Sequence, residues 1–233
     1  SIARSLALTD TAKLICKYDP YLEDQGTLWL VHTQLASNRD MARFWYWAFN
    51  EVPNRDFNES RLVALAQECL ERDELEPVME SSLRKDANCF IRTYLPAAIR
   101  KKRTSVEDLL DCPLSALGLA REAGLPGMYK FRIGEHRNLP TGVFAYVLYR
   151  FKEQFSPDLP VVSVEQIRWE PLSPGRLLCL DNRAILQRLE ELESRTTLAK
   201  INRTAGLNTV VLDEKKTSLN VLESYFQRSM ESL

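Results

Sequence analysis

Two histidines in 233 residues, and five cysteines that never form a Cys-x-x-Cys pair, leave little from which to build a zinc site. Cys16, Cys69, Cys89, Cys112 and Cys179 are odd in number and widely scattered, which argues for reduced thiols in a cytoplasmic protein and against a disulfide framework. No apolar run approaches membrane-spanning length, and no signal peptide is visible. An excess of charge is lacking too. With 31 basic against 32 acidic side chains, adhesion to nucleic acid by bulk charge is excluded, and any cationic surface must be local. The short motifs of phosphate and metal chemistry are absent: no Gly-x-x-x-x-Gly-Lys loop, no Gly-x-Gly-x-x-Gly after a strand, no His-Glu-x-x-His.

What is present is a chain long enough, and at 45% hydrophobic apolar enough, to bury a real core. Three of its four tryptophans lie between residues 19 and 47. Asp19 followed by Pro20 reads as an N-cap and first turn, with Leu28, Val31 and Leu35 recurring at helical spacing. After Asn38, Arg39 and Asp40 the pattern resumes with Met41, Phe44, Trp45 and Ala48, so the region predicts a helical hairpin at the centre of the fold. Upstream, Thr9 caps a short helix, and this opening reads as the continuation of a preceding segment. Downstream, Asn58 or Ser60 caps a helix with Leu62, Val63, Leu65, Ala66, Cys69 and Leu70 inward.

Charge is unevenly distributed. Residues 51–80 hold nine acidic and three basic side chains, as a solvated helix face would. The next helix has Leu83, Ala87, Phe90, Ile91 and Tyr94 inward and ends at Pro96. From residue 84 to 103 it carries Arg84, Lys85, Arg92, Arg100, Lys101, Lys102 and Arg103 against one acid, Asp86. Such a patch suits a phosphate backbone, whose neutralisation releases counterions, and it equally suits a helix end that complements its own dipole. Residues 129–133 alternate aromatic or apolar side chains with Lys130 and Arg132, giving either a phosphate-facing strand or an edge strand guarded by cations.

The last third predicts helices at 143–155 and 163–169, a strand at 176–180, a helix capped by Asp181, two strands over 198–211 and a final helix at 219–230. That order is winged-helix-like, so the expected fold class is mainly α (α+β), with a helical domain at 1–128 and a winged-helix-like domain at 129–233. Arg183, Gln187, Arg188, Lys200 and Arg203 are the DNA contacts such a unit would offer. Glu190, Glu191 and Glu193 oppose deep groove insertion and keep a protein-docking use open. Asp19, Glu23 and Asp24 form a carboxylate cluster able to hold Mg or Mn, although acids in a first turn are also explained by the helix dipole. Tyr94 has the chemistry of a nucleophile, but its spacing makes it a core tyrosine with its hydroxyl at the rim.

Asp-Pro-Tyr-Leu-Glu-Asp with Gly-Thr-Leu-Trp-Leu (19–30), Lys-Asp-Ala-Asn-Cys-Phe-Ile-Arg-Thr-Tyr (85–94), Leu-Pro-Thr-Gly-Val-Phe-Ala-Tyr (139–146) and Ser-Pro-Gly-Arg (173–176) carry a resemblance. It runs over nearly the whole chain, through Gln-Leu-Ala-Ser-Asn (34–38), Trp-Tyr-Trp (45–47), Asp-Cys-Pro-Leu (111–114), Tyr-Lys-Phe-Arg (129–132) and Thr-Ala-Gly-Leu (204–207). The chain resembles a bacterial family long catalogued as a domain of unknown function, which includes the SspB-type DNA-nicking proteins of single-strand DNA phosphorothioation (Ssp) defence systems. The resemblance implies a DNA-binding, DNA-nicking endonuclease whose partners are DNA and the sulfur-transfer and ATPase proteins of the same system, possible oligomers included. The family's further N-terminal module, with a Ser-Gly-His-Glu-Thr-Phe motif, does not occur in this sequence, and no catalytic residue carries over by motif. Two rival functions stand beside nicking: a non-catalytic winged-helix DNA-recognition or regulatory protein, and an assembly scaffold for the sulfur-transfer partners.

Overall fold

Thr9 accepts a hydrogen bond from the Ala12 amide and so starts α1 (Asp10–Tyr18). The computed structural model describes residues 7–51, 56–99, 110–204 and 207–231. Asp19 does not begin the next helix. It ends α1, and its carboxylate accepts the amides of Glu23 and Asp24, while Leu22 adopts a left-handed conformation that turns the chain. Asp24 is the true N-cap of α2 (Gln25–Ala36). This shift also rotates the buried face: Trp29, Leu30, His32, Thr33 and Ala36 are inside, and Leu28, Val31 and Leu35 are only partly covered. The hairpin is completed by α3 (Arg43–Asn50), with Met41 exposed and not packed as its spacing predicts.

The first half continues with β1 (Asp56–Phe57), α4 (Glu59–Arg72) capped by Asn58, and α5 (Glu80–Tyr94). A 3-10 turn at Pro113–Leu117 leads to β2 (Ala120–Glu122) and β3 (Tyr129–Phe131). The three strands form an antiparallel sheet in the order β1-β3-β2, so β3 is its centre and not an edge strand. Its apolar face meets the hairpin and α5 through a cluster of rings, with Phe90 touching Phe44, Phe49, Phe57, Tyr94 and Phe131. Residues 129–131 therefore complete the sheet of the first half, and the sequence boundary at 128 runs through it.

The second half is α6 (Thr141–Phe155), β4 (Val161–Ser163), α7 (Val164–Trp169), α8 (Pro174–Leu177), α9 (Asn182–Arg195), β5 (Ala199–Thr204), β6 (Leu207–Leu212) and α10 (Ser218–Glu231). The strand expected at 176–180 is the helix α8 and the loop after it, because Ser173 caps that helix and Pro174 occupies its first turn, where a missing N–H costs nothing. The sheet's first strand is β4 instead, paired antiparallel with β6 in the order β4-β6-β5. Val162, Val210 and Ile201 lie in one register and form its buried row. The order is a helix, a strand, three helices and a hairpin whose second strand pairs with the first strand. The Tyr149 hydroxyl ties this half together, donating to the Leu198 carbonyl and accepting from the Asp213 amide.

The final helix belongs to both halves. Glu153 of α6 accepts the Ser218 amide and hydroxyl at its start, and Tyr18 of α1 stacks on Phe226 near its end. Among the described residues no helix is long and apolar enough to cross a membrane.

Candidate nucleic-acid interface

The junction of the halves is a buried aromatic and histidine cluster. His32 on α2 makes a 2.7 Å hydrogen bond to the Leu177 carbonyl of α8, so Nε2 is protonated, and Nδ1 accepts the Tyr94 hydroxyl at 2.8 Å. Tyr94 is therefore a core residue whose hydroxyl is enclosed, not at the rim. Trp29 packs between His32 and His136, and its indole N–H donates to the Asn138 carbonyl. Both histidines are held neutral. Burial lowers the pKa of each to about 4, aided at His32 by His136 and at His136 by the Arg132 and Arg188 charges. Burial likewise pushes the nearby Cys179 thiol up to about 12, which makes it inert. This cluster is a support, and the charged residues it positions lie outside it.

The predicted cations fall on separate faces. Arg84 is engaged by Glu59 and Glu80 at 2.8 and 2.7 Å. Lys85 and Arg92 are exposed on α5, on the side of the helix opposite the Phe90 face that meets the sheet. Arg100, Lys101, Lys102 and Arg103 lie outside the described residues. On β3, Tyr129 and Phe131 are buried, so the alternating Lys130 projects from the other face of the sheet. The α5 and β3 patches thus look away from each other.

Lys130 faces Arg121 across the ladder on one side and Asp56 on the other. Arg121 is a cation that no local pattern identifies, since only the antiparallel pairing brings it beside Lys130. After exposed Arg132, the Gly134 amide bonds the Cys179 carbonyl, and the Gly134 backbone sits against Asp181, the cap of α9. The cationic strand therefore runs into the start of the helix that carries Arg183. Arg183 is exposed and, with Asn182, Leu186, Gln187 and Glu190, lines a groove of about 550 Å³ on the outer face of α9.

The rest of the predicted winged-helix set divides. Arg188 is buried, donating to Glu191 and to the His136 carbonyl, so it holds α9 against the core and faces no groove. Arg203 of β5 reaches back to Glu190 at 2.6 Å. Lys200 alternates with Ile201 and projects from the opposite side of the hairpin.

The carboxylates Asp19, Glu23 and Asp24 are close in space, but two are engaged. Asp19 holds two backbone amides, and Asp24 accepts the Gly26 amide and the Tyr225 hydroxyl. Among the described residues no group of three or more His, Cys, Asp or Glu side chains gathers as a metal ion requires. Asp19→Ala is expected to cost about 1 kcal/mol through loss of this cap, equally with and without Mg. A Mg-dependent rise in melting temperature that the variant abolishes would instead make Asp19 a ligand.

A family model described as "Protein of unknown function (DUF4007)" matches residues 2–226. The chain belongs to the DUF4007 family. No curated protein matches it in sequence. Two solved structures resemble this DUF4007 chain over most of its length. An "SspB crystal structure" superposes with a TM-score of 0.78 at 26% identity, covering 92% of this chain and 62% of that one. A "Magnesium ion-bound SspB crystal structure" gives 0.81 at 25% identity, covering 96% and 66%. The chain thus spans a little under two thirds of the SspB chains it matches. Magnesium belongs to the second of those proteins. The described carboxylates of the present DUF4007 chain do not converge on one point, and no step is assigned to a metal here.

Proposed function

We propose that this chain is the DNA-engaging part of the DNA-nicking component of a phosphorothioation system. The likeness to SspB over more than nine tenths of the chain carries this reading. The cationic face that links the first sheet to α9 supports it. Arg121, Lys130 and Arg132 would neutralise phosphates, while Arg183 and Gln187 at the exposed side of α9 reach toward base edges. Neutralising phosphates releases counterions, so the affinity of such a face falls steeply with salt.

Gel-shift titrations of duplex DNA at rising salt test the binding face. Lys130→Gln and Arg183→Gln are each expected to weaken binding and to lower the salt slope by about 1. Lys85→Gln, on the far side of α5, is expected to change neither. Equal loss for Lys85→Gln would place the interface on α5. Nicking itself is tested by converting supercoiled plasmid to open circle with the full-length protein in Mg or Mn. Absence of open circle in both metals would leave a non-catalytic recognition protein.

One observation favours the scaffold alternative for the α9 groove. Glu190 stands in its lining and holds Arg203, and a carboxylate there repels phosphates. If Arg183→Gln leaves DNA binding unchanged while Lys130→Gln weakens it, the groove is a protein-docking surface beside a DNA-binding sheet.

A further inference from the structure

A second cationic feature shares no residue with the DNA face. Between the start of α6, the end of α9 and the outer side of α10 lies a cleft of about 840 Å³, within the roughly 300–1,000 Å³ usual for small-molecule sites. Its floor is apolar, with Ala145, Leu192, Leu198 and Val221. Arg195, Lys216 and Arg228 stand at its rim, and no Asp or Glu lines it. All three cations are exposed, and none makes an ion pair among the described residues. In a chain whose charges nearly balance, three cations without an acid around one cleft is a local imbalance.

The nearest acids are already committed. Glu191 accepts Thr141 and Arg188 and offsets part of the Arg195 charge from outside the cleft, Asp24 accepts Tyr225, Glu223 takes Lys17 and Tyr18, and Glu153 caps α10. The remaining lining adds donors and one ring. The Asn220 side chain turns its carbonyl to the Thr217 amide and hydroxyl, leaving its NH2 group as a donor. Tyr225 is the cleft's one aromatic residue, its ring seated against Gly142 where a Cβ would collide with it. The α6 N-terminus also opens here, with Pro140 as its cap and no side chain accepting its first amides.

We propose that this cleft binds a phosphate-bearing ligand of nucleotide size. Arg195, Lys216 and Arg228 take the phosphate, and the base lies on the apolar floor beside the Tyr225 ring. Planar guanidinium groups suit phosphate oxygens, and a ring over an apolar floor suits a base. The ligand is either a free nucleotide or one nucleotide unit of a strand.

Fluorescence titration of the full chain at low salt tests this with two probes, N-methylanthraniloyl-ATP and a 5′-phosphorylated thymidine tetranucleotide carrying a dye. Saturable binding of at least one is expected, and Arg195→Gln and Arg228→Gln should each weaken it roughly tenfold by removing a charge-assisted hydrogen bond. Thermal unfolding of both variants should match the parent, since neither side chain packs in the core. Tighter binding of the nucleotide identifies a free ligand, and tighter binding of the oligonucleotide identifies a strand. Lack of saturable binding by either probe, or parental affinity in both variants, overturns the proposal. The duplex-binding test on Lys130 and Arg183 reads other residues, so the two proposals fail separately.

Discussion

Lowering the pH from 7 to 4 is expected to destabilise this protein substantially, with the loss concentrated between about pH 6.5 and 4. His32 and His136 set that window. Each titrates near 6.5 in an unfolded chain and near 4 in the folded one. Above 6.5 both states are neutral at these sites and the full stability is present. Between 6.5 and 4 the unfolded chain binds protons that the folded chain refuses, so stability falls as pH falls. Below 4 the histidines contribute no further loss. The size is on the order of 3 kcal/mol for each, against a total of roughly 5–15 kcal/mol for a typical domain.

The physical cause is enclosure. His32 is sealed by Trp29, Phe49 and Tyr94, and both ring nitrogens already have partners, so a second proton would displace the Tyr94 hydroxyl bond. Asp73 supplies a separate marker. Against burial, which raises its pKa, hydrogen bonds from Arg72, Arg39 and Trp47 hold it at about 2, below the histidine window. Urea denaturation at pH 7.5, 5.5 and 4.5 measures the effect. His136→Phe is expected to flatten the curve between 6.5 and 4, and an unchanged curve in that variant would show that other groups govern acid unfolding.

How far the fold could be read from sequence depended on how local each signal was. Thr9, Asn58 and Asp181 cap the helices their spacing predicted, because a cap bonds amides only two or three residues away. Asp19 misled for the same reason: its carboxylate does bond amides ahead of it, but those of a turn, with the helix starting only after Asp24. The strand expected at 176–180 failed because Pro174 and Gly175 suit a turn before a strand as well as the first turn of a helix, and the buried Ser173 cap, whose bond the spacing does not reveal, makes them the latter. The cationic surface was legible only as scattered charges. Arg121 meets Lys130 through sheet pairing, and Arg195 at the end of α9, Lys216 in the loop before α10 and Arg228 on α10 gather around one cleft, separations for which the sequence holds no periodic signal.

Gly175→Ala is expected to destabilise the protein by about 3 kcal/mol, at the upper end of what overpacking costs. A Cβ built at this position lies 2.5 Å from the Arg168 carbonyl oxygen and 2.7 Å from its Cα. Those are backbone atoms at the end of α7, so relief requires α7 and α8 to separate. Gly142 differs in this respect. Its nearest neighbour is the Tyr225 ring, which a small rotation can move, and Gly142→Ala is expected to cost less.

The consequence of Gly175→Ala extends past the two helices. α8 supplies the Leu177 carbonyl to His32, and the loop after it supplies the Cys179 carbonyl to the Gly134 amide, the contact that brings the cationic strand to α9. Trp169, flanked by Arg168 and Arg176, packs at the same crossing. The variant should therefore weaken duplex binding as well as lower the urea midpoint, although it removes no charge. Chemical denaturation compared with the parent measures the first effect and gel shift the second. A loss below about 0.5 kcal/mol, the range of a neutral surface change, would mean that α7 and α8 have room to part and that the close approach at Gly175 does not fix α8 against α7.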